Sequence, residues 1–439
     1  MPSTLDTPPG PDSTGVPGST AAQASPGAPS LAGELRRLRA VAAVCAQGSV
    51  ARAGEVLHLS QPAVTRAVRE LESIVGVPLF ERAARGMVPT RAGRLVGRRV
   101  ERAIAELAGG ALDALSLSAT PHRAAQAQRP QRFAAAVAWR SLESFVAIER
   151  SGSEPRAARE LGISQPAVNR NLRELERLAG VPLLQRTTRG TRLTPAGELL
   201  LRRVKLALAE LRNAEDELAS FTGRLHGRVV LGTLPLSASY LAPHAVERLL
   251  ASHADLQVTV VDGTYDALVE KLRCAEVDVI VGALRTELAA DLAQEPLFED
   301  TLTVVARAGH RCARDASALT LSALVGEPWI VPLPGTPARA AFERAFATQG
   351  LAPPRAALQT NSAAVVRSML TETDRLALLS PRQVVSELRN GLLVTLPVDV
   401  GVPARTIGMT TRRDGAPSPG AAALLQALRE ASACVRADG

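Results

Sequence analysis

The chain of 439 residues is poor in aromatic side chains (3%), has four cysteines, and contains almost no lysine. Cys45, Cys274, Cys312 and Cys434 lie far apart and form no C-x-x-C pair. That excludes a disulfide framework and a zinc ribbon, and fits reduced, mostly structural thiols in a cytosolic protein. No apolar run approaches the ~18 residues needed to span a bilayer, so no membrane partner is expected. The start of the chain has neither a basic nor an apolar leader, and the chain reads as cytoplasmic. A Walker loop, a G-x-S-x-G elbow and an H-E-x-x-H motif are all missing, and the six histidines are scattered. The chain therefore does not read as an enzyme; no catalytic residue, metal or cofactor is expected. Residues 1–30 are Pro, Gly, Ser, Thr and Ala with almost no large apolar side chain, so they read as a disordered tail.

What the chain does have is a charge asymmetry and a repeat. The net charge is +8, and it is carried unevenly. Residues 31–225 hold about 31 basic against about 19 acidic side chains, whereas 226–439 hold about 20 against about 22. Nearly all the bases are Arg, but a genome biased to Arg would enrich both halves alike. A basic half joined to a nearly neutral one is the electrostatic footprint of a nucleic-acid module with a separate domain.

The basic half states one unit twice. Ser60-Gln61-Pro62-Ala63-Val64-Thr65-Arg66 returns as Ser164-Gln165-Pro166-Ala167-Val168-Asn169-Arg170, and the register holds without a gap from Leu35/Trp139 to Leu95/Leu199. About twenty of some thirty-four positions match between Ser60 and Gly93, which marks a duplicated domain. In the second copy, Trp139, Leu142, Phe145, Val146 and Ile148 fall at helical spacing. A short helix follows, from about Glu154 to Leu161, closed by Gly162. Ser164 is an N-cap with Pro166 just inside the first turn. Val168, Leu172 and Leu175 form the buried stripe of that third helix, leaving Gln165, Asn169, Arg170 and Arg173 off it. Helix, tight turn, then a helix with a polar face is the geometry that places a recognition helix in the major groove. Arg186–Arg192 reads as a Gly-centred basic hairpin, with Arg189 placed for a minor groove or a phosphate.

Ala157-Ala158, Leu161, Ile163 to Val168, Leu175-Glu176, Gly180 to Leu183, Arg186 and Leu193 to Gly197 together resemble the winged helix-turn-helix of the LysR-type transcriptional regulators. The first copy repeats the pattern from Ala53 through Ser60-Gln61-Pro62-Ala63-Val64 to Gly76-Val77-Pro78-Leu79, Thr90 and Gly93. The resemblance implies DNA contact by Gln61, Pro62, Thr65, Arg66 and Arg85, and again by Gln165, Pro166, Asn169, Arg170 and Arg189. The duplication departs from the family, whose members usually carry one such head. The copies differ at Thr65 against Asn169 and Ala67 against Asn171; Asn can pair bidentately with adenine, and Thr offers a hydroxyl and a methyl. Val41 replaces Phe145, and Pro89 and Arg91 replace Leu193 and Pro195, so the first head has weaker support.

Val204, Ala207, Leu211, Ala214, Leu218 and Phe221 form a heptad seam. The resemblance makes this the linker helix through which the family dimerises, and implies a homodimer or homotetramer. The equivalent seam in the first copy is interrupted by Gly109-Gly110, so that helix is expected to end early and a dimer to carry four heads.

From 228 onward strands and helices alternate, which argues for parallel sheets with helices on both faces, in two small lobes around a cleft. Strands are expected near Arg228–Leu234, Leu256–Val261, Val277–Val281, Leu302–Ala306, Trp329–Pro332, Leu376–Leu379 and Leu392–Leu396. The resemblance extends here to the family's effector domain, which is similar to type 2 periplasmic binding proteins. Leu256 to Gly263 and Asp278 to Arg285 are similar to a subgroup answering to sugars and aromatic acids, with Cys274 where Gly is usual. Carried over, the candidate effector-binding residues are Thr233, Pro235, Ser237, Thr264, Arg285, Thr336 and Ser380.

The expected architecture is therefore multi-domain. A tail (1–30) precedes a first winged helix-turn-helix (33–92) and a helix with linker (93–135). A second winged helix-turn-helix (136–196), a dimerisation helix (197–224) and an α/β two-lobe effector domain (226–439) follow. The expected partners are double-stranded operator DNA and a small-molecule effector. The competing reading is a metabolite-binding protein whose helix-turn-helix units mediate protein–protein contact.

Overall fold

The computed structural model describes residues 31–437 except 84–85, 118–128, 189, 223–224, 235–239 and 315–318; the expected tail lies outside the described residues. The first unit comprises α1 (Leu35–Gln47), α2 (Val50–Leu57), α3 (Gln61–Val75), a hairpin of β1 (Phe80–Ala83) and β2 (Gly86–Pro89), and α4 (Arg91–Ser116). After α5 (Arg129–Ala136), the second unit repeats the order. It has α6 (Trp139–Ser151), α7 (Glu154–Leu161), α8 (Gln165–Ala179), β3 (Leu184–Thr187), β4 (Gly190–Leu193) and α9 (Pro195–Ala219).

The same residues set the same joints in both units. The Ser60 and Ser164 hydroxyls accept from the Ala63 and Ala167 amides and start α3 and α8. Val64, Val68 and Leu71, and Val168, Leu172 and Leu175, are buried beneath them. Glu72 Oε1 accepts from the Leu79 and Phe80 amides at 2.8 and 3.1 Å; Glu176 does the same for Leu183 and Leu184 at 2.8 and 3.1 Å. One carboxylate per unit thus ties the third helix to the hairpin. Thr90 and Thr194 cap the long helices and donate to the Pro78 and Pro182 carbonyls, both at 2.8 Å. Gly93 and Gly197 follow because a Cβ there would collide with the Leu79 and Leu183 carbonyl oxygens.

The long helices depart from expectation. α4 does not stop at Gly109-Gly110; it runs to Ser116, and it packs antiparallel along α9. Gly110 is the reason: a Cβ would meet Arg203 Cβ at 2.7 Å and a Leu200 methyl at 2.9 Å. Bare backbone at this position lets the helices approach, which outweighs the propensity cost of about 1 kcal/mol. The seam expected to bind a second chain is therefore covered within this one. Val204, Ala207, Leu211 and Ala214 are buried, as are Val96, Val100, Ala103, Leu107 and Ala114. Both units and both long helices share one hydrophobic core.

The remaining residues form two lobes, each with a five-stranded sheet. Lobe I has the order β6 (Leu256–Asp262), β5 (Gly227–Thr233), β7 (Val279–Ala283), β14 (Arg405–Arg412), β8 (Leu292–Asp300). Lobe II has β11 (Leu358–Gln359), β10 (Trp329–Val331), β12 (Leu376–Leu379), β9 (Thr303–Arg307), β13 (Leu393–Leu396). The sheets are mixed, which corrects the expectation of parallel ones. β14 runs antiparallel to β7 and β8, and β9 antiparallel to β12 and β13. The cause is the chain path, which crosses to lobe II after β8 and returns into β14, so each sheet receives strands from a second direction. Lobe I packs on α10 (Leu241–Ser252) and α16 (Pro419–Ala437), and lobe II holds Trp329 against Phe342 and Phe346.

Candidate nucleic-acid interface and ligand cleft

The N-terminal turns of α3 and α8 face solvent in the same way. Gln61, Pro62 and Arg66 are exposed, as are Gln165, Pro166 and Arg170. Arg69 and Arg173 are exposed one turn on, and among the described residues none of these four arginines makes an ion pair. Each helix thus carries an open cationic face, while its apolar stripe is sealed in the core. The wing arginines Arg85 and Arg189 lie outside the described residues.

The two faces are not equivalent. Thr65 donates its hydroxyl to the Gln61 carbonyl at 3.0 Å, within its own helix. The Asn169 amide nitrogen lies 3.3 Å from both oxygens of Glu154, which also receives Arg186 at 3.4 Å. Position 50, the first-unit counterpart of Glu154, is Val50. An acidic residue therefore orients Asn169, and among the described residues nothing comparable holds Thr65. Asn171 corrects a sequence expectation: it is half-buried and donates to Ser144 Oγ at 2.9 Å, bracing α8 on α6, so it does not distinguish the outer faces.

The second candidate site is a small cleft between the lobes, lined by Tyr240, Leu241, Phe298, Asp300, Ser380, Arg382 and Gln383. Asp300, at the end of β8, is buried; it accepts from Ser380 Oγ at 2.5 Å and from Arg405 at 2.8 and 3.0 Å. One carboxylate thereby joins the outgoing strand, the returning strand and lobe II. The Arg382 guanidinium sits 5.4 Å from the Phe298 ring centre, and Gln383 Oε1 is buried without a hydrogen-bond partner among the described residues. The cleft thus sets the Arg382 guanidinium and the Asp300 carboxylate beside two aromatic rings.

Of the residues carried over for ligand binding, Ser380 lines this cleft. Thr233 is buried and donates to Asp262, and Thr264 caps the helix Tyr265–Arg273. Arg285 stacks on Tyr265, its guanidinium 4.5 Å from the ring centre. These three share the C-terminal edge of the lobe I sheet with Asp300, because β8 runs parallel to β7 across β14. Thr336 caps the helix Pro337–Ala347 in lobe II. Pro235 and Ser237 lie outside the described residues. Asp300, Arg382 and Gln383 were missed because their roles depend on where β8 ends and where β14 returns, and neither strand alternates clearly enough to be found in the sequence.

Burial pushes the Cys45 thiol up to about 11 and also raises Cys274 and Cys312. His310, Cys312 and Glu327 converge in lobe II, but Arg311 already pairs with Glu327 at 2.5 Å.

An exposed cationic helix-turn-helix joined to a two-lobe ligand-binding domain defines a ligand-responsive DNA-binding regulator. The model for "Bacterial regulatory helix-turn-helix protein, lysR family" matches residues 35–94 and again 139–198. The "LysR substrate binding domain" model matches 222–433. The chain is 38% identical over 397 residues to the HTH-type transcriptional regulator GalR of Pseudomonas putida, covering 90% of this chain and 96% of that one. It is 32% identical to PcaQ of Agrobacterium fabrum over 297 residues, 67% of this chain and 95% of the relative. The solved structure of full-length CbnR complexed with its target DNA has the same fold, with a TM-score of 0.50 and 20% identity over 66% of this chain and 99% of that one. The chain belongs to the LysR family of transcriptional regulators, with a DNA-binding helix-turn-helix and an effector-binding domain. The reading of the repeated units as protein–protein modules is not favoured. The alignment with GalR is too long for the second unit and the C-terminal lobes alone, so it extends into the first unit. Among the described residues no helix is long and apolar enough to cross a membrane.

Proposed function

We propose that both repeated units bind DNA, so that this cytoplasmic regulator carries two reading heads per chain and senses a small metabolite between its C-terminal lobes. The observation that carries this reading is the matched pair of open N-terminal turns, Gln61-Pro62 with Arg66 and Gln165-Pro166 with Arg170, capped by identical serines on the basic half. The domain limits are those of the sequence reading: heads at 33–92 and 136–196, connecting helices to 135 and 224, and the effector domain from 226. Direct base contact falls to Gln61, Thr65, Arg66, Gln165, Asn169 and Arg170, with Pro62 and Pro166 fixing the helix starts, and Arg85 and Arg189 serving the wings.

The effector is a sugar or an aromatic acid. The Phe298 and Tyr240 rings, with the Arg382 guanidinium 5.4 Å from the Phe298 ring centre, favour the aromatic acid of the two. Binding closes lobe II on lobe I through the Asp300–Ser380 contact, and the shift reaches the heads only as far as the ligand discriminates the two arrangements. Further assembly into dimers or tetramers uses surfaces other than the covered seam.

Fluorescence anisotropy on duplex DNA from the region upstream of the gene tests this. Affinity should fall steeply and log-linearly with salt, and Arg170→Ala should weaken binding by about 1–3 kcal/mol if it reads a base edge. Binding that ignores both salt and the substitution would overturn the assignment. For the cleft, an aromatic carboxylate should raise the melting temperature of the wild type and not of Arg382→Ala.

A further inference from the structure

The ion pairs across α4 and α9 come in two matched sets. Arg99 donates to Glu210 at 2.8 Å and to Glu217 at 3.0 Å. Arg203 donates to Glu106 at 2.9 Å and to Asp113 at 3.0 Å. Arg203 occupies in the second unit the place of Arg99 in the first; Glu210 and Glu217 likewise occupy the places of Glu106 and Asp113. Residue i contacts j′ while i′ contacts j, which is the signature of an isologous interface related by a two-fold axis. Here both sides of that interface belong to one polypeptide. The apolar seam beneath it is built from matched positions too: Val96, Val100, Ala103 and Leu107 are buried, and so are their counterparts Leu200, Val204, Ala207 and Leu211.

We propose that one chain is an internal pair that reads an operator of two unlike half-sites on its own, in inverted orientation. The inference rests on the reading of both units as DNA-binding heads. Inversion follows from the approximate two-fold, because an operator's symmetry mirrors that of the protein bound to it. Unlikeness follows from the outer faces: Thr65 without an acidic neighbour on one side, Asn169 held by Glu154 on the other. Covalent linkage makes the second head's engagement intramolecular, at an effective concentration on the order of millimolar. Closure of the seam removes the need for a second chain. Because a homodimer would repeat the same head twice, only a fused pair can commit its two positions to different sequences permanently.

Footprinting and single-particle mass measurement of the full chain on one duplex provide the test, the duplex being trimmed from the upstream region to one pair of protected half-sites. At saturating duplex the expected result is one chain of 46.0 kDa for every duplex bound, however many chains the assembly holds, with Arg66→Ala erasing one half-site and Arg170→Ala the other. Insertion of about five base pairs between the half-sites, half a helical turn, should weaken binding by at least about tenfold. Both arginines are exposed and unpaired among the described residues, so the variants should fold as the wild type does. Two chains for every duplex at saturation, or loss of both half-sites in Arg170→Ala alone, would overturn the internal pair while leaving DNA binding intact. Failure of the wild type to protect any segment would remove the functional reading and this inference together.

Discussion

The two repeated units differ least where they hold themselves together and most where they meet something else. Serine caps, the Glu72 and Glu176 carboxylates and the Gly93 and Gly197 close approaches recur with nearly the same distances. Divergence lies on the outer face of the recognition helix, on the far side of the long helices, and at one turn. Arg99 shows this best. It repeats the bonds of Arg203, and in addition donates to the Ala416 and Pro417 carbonyls at the entrance to α16. Arg102, one turn on, reaches the Asp414 carbonyl at 2.6 Å. The first unit is thus the one whose long helix touches this loop of lobe I by arginine. Duplication supplied two similar supports, and their environments then separated the roles.

The largest expected effect breaks that symmetry directly. Arg99 is 5% exposed, and although burial works against its charge, the bonds to Glu217 and Glu210 hold its pKa up. Arg99→Ala takes the donor from Glu217 and from the Pro417 carbonyl, and leaves buried Glu210 with Arg102 and the Ala416 carbonyl with Asn213, at a cost of about 3 kcal/mol. Arg203→Ala removes equivalent ion pairs at a position whose side chain is 38% exposed, and should cost about 1 kcal/mol or less. Urea unfolding of both variants checks the ratio; equal losses would mean that the loop contacts contribute nothing.

Gly110 sharpens the same comparison, since Ala214 stands at the equivalent place in α9. Replacing a helical glycine by alanine normally stabilises by about 1 kcal/mol. Here the added methyl meets Arg203 Cβ at 2.7 Å, and overpacking of this kind costs about 1–3 kcal/mol. Gly110→Ala should therefore destabilise, with a lowered thermal midpoint as the readout. A rise would show that the helices have room to separate.

A third difference runs the other way. α2 ends on His58 with φ 53°, whereas α7 ends on Gly162 with φ 64°. A side chain in the left-handed region carries strain that glycine does not. His58→Gly should raise stability by about 1 kcal/mol in a denaturant titration, bringing the first unit's turn into line with the second. No gain would place the strain elsewhere.

These contrasts also show what could be read in the sequence. The heads were legible because their signals are local. Ser60-x-Pro62 and Ser164-x-Pro166 are caps and Gly162 is a stop; Val168, Leu172 and Leu175 mark a face by spacing alone. The seam was legible as a seam, but its partner was not. Val204, Ala207 and Leu211 mark an apolar stripe without saying which helix covers it. Gly109-Gly110, scored by propensity, pointed to a helix end when its meaning was close packing. In the lobes, Leu376–Leu379 and Val279–Ala283 announce themselves as buried strands. Leu292–Asp300 and Arg405–Arg412 mix Asp, Glu, Thr and Arg into their pairing, and without them neither the mixed sheets nor the Asp300 junction could be foreseen.

A change of pH tests the joint between long helix and lobe. Asp216, near the end of α9, packs its carboxylate against Gly227 at the start of β5, whereas its first-unit counterpart, Leu112, is exposed. Burial, followed by the like charge of Glu215, pushes the Asp216 carboxyl up to about 7 from an ordinary 3.8. Between about pH 4 and pH 7 the unfolded chain has lost this proton while the folded chain keeps it. The folded state therefore binds more protons across that window, so the contribution of Asp216 to stability is full below it, declines as pH rises through it and is gone above about pH 7. Asp216→Asn should flatten that decline in melting temperature against pH, and Leu112→Asn should leave its slope unchanged. If both variants keep the slope of the wild type, the titration belongs to another group, and the junction of α9 with β5 is indifferent to pH.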